Sequence, residues 1–158
     1  MTNSPYRFID AEVPAQPTPF QVLMKHADLL AEGTDGLIEG RVIERVQERS
    51  DKADFPLDSL LTYSLYLQVP RLRNYLHRLY EVSPRDHNAD YPVTVTVFLK
   101  SGPDTPHSAK DAEELDSILL KFAQSSPVGN ILSNIRNQVL TMEEYQQDKV
   151  GGRPDHHL

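Results

Sequence analysis

Tyr91-Pro92-Val93-Thr94-Val95-Thr96-Val97-Phe98-Leu99, closed by Lys100-Ser101-Gly102-Pro103, is the stretch that decides the class of this fold. β-branched and aromatic residues fill it, and apolar and hydroxyl side chains alternate. That pattern is a β-strand with Val93, Val95 and Val97 on one face and Thr94, Thr96 and Phe98 on the other. The turn cluster after it ends the strand.

Upstream, Leu61, Tyr63, Leu65, Leu67 and Val69 recur at period two, so Leu57 to Val69 reads as a second strand stopped by Pro70. Leu72 to Ser83 fits two templates. Leu72, Tyr75, Leu76, Leu79 and Tyr80 make a helical stripe, whereas Leu79-Tyr80-Glu81-Val82 before Ser83-Pro84 favours a strand. We read it as a strand, joined to the certain one through the loop Pro84 to Asp90 as a hairpin. Leu37 to Arg49 is also read as a strand, entered through the turn Thr34-Asp35-Gly36 and decorated with charged residues.

Helices flank this block. Thr18 and Pro19 suit the N-cap and first position of a helix whose stripe is Phe20, Leu23, Met24, Ala27, Leu30 and Ala31, with Gly33 at its C-terminal end. After the strands, Ser108 with Asp111 is a weak capping box for a helix facing the core through Leu115, Ile118, Leu119 and Phe122. Ser126-Pro127 opens another, with Val128, Ile131, Leu132, Ile135 and Val139 as its stripe; Thr141 and Glu144 suggest a short further helix. A block of strands between helices argues α+β. The expected architecture is a single α+β domain: a mostly antiparallel four-stranded sheet with an N-terminal helix and two or three C-terminal helices.

Residues 1–16 carry prolines and are expected to be a flexible N-terminal segment, with Tyr6, Phe8 and Ile9 available to dock on the body. Residues 17–149 form the domain, and 150–158, opened by Gly151-Gly152, a flexible tail.

The chain has 158 residues, enough to bury roughly 68–70% of the surface its unfolded form exposes. Cysteine is absent, so there is no disulfide, thiolate nucleophile or cysteine metal site. The formal charge of −7 opposes nucleic acid unless basic residues are segregated, and suits a protein partner, a basic one included. No apolar run approaches a membrane helix and no signal peptide is evident, so a cytoplasmic protein is expected. No P-loop, G-x-S-x-G or dinucleotide-binding turn occurs, no catalytic residue is picked out, and no cofactor or bound metal is expected.

Two clusters stand out. In Arg71-Leu72-Arg73-Asn74-Tyr75-Leu76-His77-Arg78, a strand would put Arg71, Arg73, Tyr75 and His77 on one face. Such a stripe could bind a partner, or phosphate with a base stacked on Tyr75. Equally, it is the polar face of a sheet, its arginines balanced by carboxylates such as Glu39, Glu44 or Glu81. Asp86, His87 and Asp90 share the following loop; carboxylate and imidazole together could ligate a metal or move a proton, although Asp and Asn also serve plain turns. The leading expectation is a small acidic, non-enzymatic interaction protein: a regulator, inhibitor or immunity-type binder. A nucleic-acid binder using Arg71 to Arg78, and a metal-dependent enzyme using the Asp86/His87/Asp90 loop, are the alternatives.

Overall fold

The central valines set the architecture. In the computed structural model, which describes residues 4–6, 16–48, 59–73, 75–85 and 89–150, Val93, Val95 and Val97 are fully buried and Thr94, Thr96 and Phe98 half-buried. They belong to β4 (Val93–Leu99), which is hydrogen-bonded on both sides. The element order is α1 (Pro19–Gly33), β1 (Glu39–Glu48), β2 (Ser59–Gln68), β3 (Leu76–Pro84), β4, β5 (Gly102–Pro103), β6 (His107–Ala109), α2 (Ala112–Ala123) and α3 (Ser126–Val150).

The sheet is antiparallel, in the order β1-β2-β3-β4-β5, with β6 also on β4. The four long strands are those expected. The two short ones are successive pieces of one return strand. Phe98 opposes Pro103 and Val95 opposes His107, so one extra residue is accommodated around Asp104-Thr105-Pro106.

The α+β architecture is therefore as the pattern implied. All three helices lie on the valine face, where Leu23, Leu65, Leu67, Val82, Leu115, Leu119 and Ile135 complete one core. The other face carries Arg41, Arg45, Arg78 and Glu81 among hydroxyls, with Ser83 opposite Thr94 and Thr94 opposite Ser108.

Several local expectations need correction. Helix α1 has the expected capping box: Thr18 Oγ1 accepts from Gln21 N at 3.2 Å and Gln21 Oε1 from Thr18 N at 2.9 Å. Its buried face is turned, however, toward Val22, Leu23, His26 and Ala27, leaving Phe20 and Met24 exposed. His26 can lie on that buried face because it finds a hydrogen-bond partner in Asp116. The left-handed residues that end the helix are Asp35 (φ 51°) and Gly36 (φ 77°), not Gly33.

Helix α2 starts after Asp111, whose carboxylate accepts from Glu114 N at 2.8 Å; Ser108 is a strand residue of β6. Ser125, not Ser126, caps α3, and α3 runs unbroken through Thr141 and Glu144. Tyr6 is 89% exposed, so it does not dock. Most of the expected loose ends, with Phe8 and Ile9, lie outside the described residues.

Candidate functional site

The chain leaves β2 through two consecutive turns, and these shape the most distinctive surface of the molecule. Pro70 cannot extend the ladder, and Leu72 N donates to the Val69 carbonyl at 3.0 Å, closing the first turn. Tyr75 N donates to the Leu72 carbonyl at 3.1 Å, closing the second. Leu72 and Tyr75 pack against the core and anchor this loop, while Arg71 and Arg73 are exposed.

Opposite the loop runs α3, which lines the cleft from Asn134 to Gln146. Its apolar stripe faces the core through Ile131, Ile135 and Val139. Offset from that stripe, Asn134, Asn137, Gln138, Thr141, Met142 and Gln146 recur at three and four and form a second face, polar except for Met142. Between loop and helix lies an open cleft of about 1150 Å³ lined by Arg71, Leu72, Arg73, Tyr75, Lys100 and these six residues. Lys100 comes from the turn between β4 and β5, where the pairing of Leu99 with Gly102 leaves it at the hairpin tip. At 1.5 Å rise per residue, Asn134 to Gln146 gives the cleft a length of roughly 18 Å.

The cleft is basic within an acidic chain. Among the described residues that line it, three are cations and none is a carboxylate. Arg71 forms an ion pair with Glu143 of α3, in which the side chains are 63% and 45% exposed. Among the described residues, neither Arg73 nor Lys100 has a carboxylate within ion-pair distance. The amides offer donors and acceptors together, which matches the needs of a peptide backbone as well as of polar side chains.

The structure thus brings Arg71, Arg73 and Tyr75 together, but not as the single strand face expected of them. The strand begins only at Leu76, because the Pro70 turn takes the arginines out of the ladder. His77 is separate: its Nε2–H donates to the Phe98 carbonyl at 3.0 Å, within the sheet. Arg78 lies on the sheet face away from the helices, 3.9 Å from the centre of the Phe98 ring and 3.4 Å from Glu81. Of the suggested balancing carboxylates, Glu81 pairs with Arg78, while Arg71 takes Glu143 rather than Glu39 or Glu44. Lys100 and the α3 residues carry little local signal in the sequence. What signal there is lies in the spacing of Asn134, Asn137, Gln138 and Thr141, an amide stripe beside an apolar one on the same helix.

No known protein family, curated protein or solved structure matches the chain.

Asp86 and His87 lie outside the described residues, and Asp90 is exposed. Among the described residues no group of three His, Asp or Glu side chains could hold a metal ion. No helix among them is long and apolar enough to cross a membrane.

A second polar cluster joins α1 to α2. His26, 5% exposed, donates from Nε2 to Asp116 Oδ1 at 2.8 Å, and Lys25 Nζ lies 3.1 Å from Asp116 Oδ2. Burial holds the imidazole below the usual histidine range, and the hydrogen bond to Asp116 offsets only part of that. For Asp116, burial pushes the carboxyl up, but the bonds from His26 and Lys25 outweigh it and the net shift is downward. At neutral pH the pair is a neutral imidazole donating to a carboxylate. It ties two helices together.

Proposed function

We propose that this is a small, non-enzymatic, cytoplasmic interaction protein, a regulator or inhibitor that engages a protein partner in the cleft between the β2–β3 loop and α3. The observation that carries this reading is the composition of the cleft lining. Arg71, Arg73 and Lys100 ring an elongated groove that also offers an amide stripe and the apolar surfaces of Leu72, Tyr75 and Met142. Cations, amides and modest apolar patches are what a polypeptide ligand uses. Among the described lining residues there is no carboxylate or imidazole that could serve as a general base.

The net charge alone suggested a basic partner. The local charge of the groove favours the opposite, since the field at a site is set by the groups that line it. A nucleic-acid reading draws support from Tyr75 standing among the three cations, a combination that suits a stacked base and its phosphates. The net charge of −7 counts against it. A metal-dependent enzyme built on Asp86, His87 and Asp90 draws no support from the described residues, of which only the exposed Asp90 belongs to that loop's trio.

Photo-crosslinking tests the reading. Benzoylphenylalanine in place of Gln138, on the cleft, should give one discrete protein adduct in extract from the source cells. The same probe in place of Thr96, on the sheet face away from the helices, should not, and Arg73→Glu with Lys100→Glu should abolish the Gln138 adduct. Equal adducts from both faces, or an adduct indifferent to the charge reversals, would contradict it.

A further inference from the structure

The ion pair between Arg71 and Glu143 joins the loop that lines the cleft to the helix opposite, with Arg71 in the lining and Glu143 beside it on α3. Resting on the reading of the cleft as a partner site, we infer that the occupant is an extended acidic segment of the partner, and that Glu143 is a built-in competitor which the partner's carboxylate displaces from Arg71.

Three observations carry this. First, Arg73 and Lys100 line the cleft without a carboxylate partner among the described residues. An Arg guanidinium presents a planar fork that matches a carboxylate, whereas Lys acts as a point charge. Second, the groove is long rather than round. Roughly 18 Å accommodates about five or six residues of extended chain at ~3.3 Å per residue. The stripe Asn134, Asn137, Gln138 and Gln146 runs along it, with amides able to donate to peptide carbonyls and accept from peptide N–H groups. A single small anion would leave most of that stripe unused.

Third, the chain itself shows the kind of group that Arg71 takes: the carboxylate of Glu143. That pair is solvent-exposed on both sides, so it is weak and readily exchanged. It therefore lowers apparent affinity for an acidic ligand without blocking it. Removing the competitor should strengthen binding, whereas a Glu143 in direct contact with the ligand would weaken binding when removed.

The test uses the full chain and fluorescence anisotropy with a labelled decapeptide that alternates Glu and Ala. Its Gln-Ala counterpart and a ten-nucleotide thymidine oligomer serve as comparison ligands. The Glu peptide should bind at least tenfold more tightly than the Gln peptide. Arg73→Gln with Lys100→Gln should weaken it tenfold or more, and Glu143→Gln should tighten it about twofold to fivefold, the range that release of an exposed ion pair allows. Circular dichroism of each variant confirms the fold; all three positions are exposed.

Equal binding of the Glu and Gln peptides, both lost on Gln138→Ala, would overturn the acidic occupant and leave the partner-binding reading standing. Tighter binding by the thymidine oligomer than by the Glu peptide would overturn both. Weaker binding by Glu143→Gln would overturn the competitor role.

Discussion

Gly40 of β1 lies directly beneath Ala27 of α1, so close that a β-carbon on the glycine would sit 2.6 Å from Ala27 Cα and 2.7 Å from Ala27 Cβ. Leu65 Cδ1 would be 3.1 Å away. The first two obstacles belong to a helix backbone and its shortest side chain, so neither can swing aside. The helix reaches the sheet only because this position has no side chain. Gly40→Ala should therefore destabilise the domain by ~1–3 kcal/mol, as overpacked cores do, even though alanine is the better residue for backbone entropy. Urea melts measure it; a variant as stable as wild type would show that α1 does not press on β1 at this point.

The His26–Asp116 pair predicts an acid-sensitive domain. The folded imidazole titrates below its unfolded value of about 6.5. Between those two values the unfolded chain binds more protons, so stability falls as pH drops from above about 6.5 through the folded value. Asp116, also shifted down, adds stability that is present above its unfolded value and lost as pH falls through its folded one. His26→Gln can still donate to Asp116 but cannot titrate. Comparing urea midpoints of the two proteins at pH 7.5, 6.5 and 5.5 isolates the effect from the other five histidines of the chain's six. Wild type should lose more stability than the variant across that window; parallel curves would contradict the assignment.

Val95 is fully buried and has Val82 on one side and His107 on the other. Val95→Pro removes a ladder hydrogen bond and drives the ring into the pleat, at a cost of about 3 kcal/mol or more. The domain should lose its cooperative thermal transition. A melting temperature within a few degrees of wild type would mean that β4 is not central.

How legible the fold is in the sequence depends on where each residue finds its partners. The β4 alternation is readable because both faces of that strand repeat the same chemistry along its length. The start of β3 is not, because Leu72 and Tyr75 are apolar residues that anchor turns rather than strand positions. The buried face of α1 is misleading because His26 counts as polar until Asp116, 90 residues later, gives it a hydrogen bond. Likewise Arg71 and Arg73 stand out as an anomaly, but the groove they border needs α3 and the Lys100 hairpin, which the sequence places far away. Local patterns reveal elements; the cleft is a product of their packing.

The central claim is that the cleft, and not the sheet face away from the helices, receives an acidic polypeptide. Side-chain amide resonances in a two-dimensional nitrogen–proton NMR spectrum report on it directly, because asparagine and glutamine line the groove. Titration with the Glu-Ala decapeptide should shift the side-chain NH2 signals of Asn134, Asn137 and Gln138, leave the backbone amides of Thr94 and Thr96 in place, and lose its effect in Arg73→Gln with Lys100→Gln. Shifts confined to Thr94, Thr96 and their neighbours on the sheet, with the cleft amides unmoved, would contradict the account.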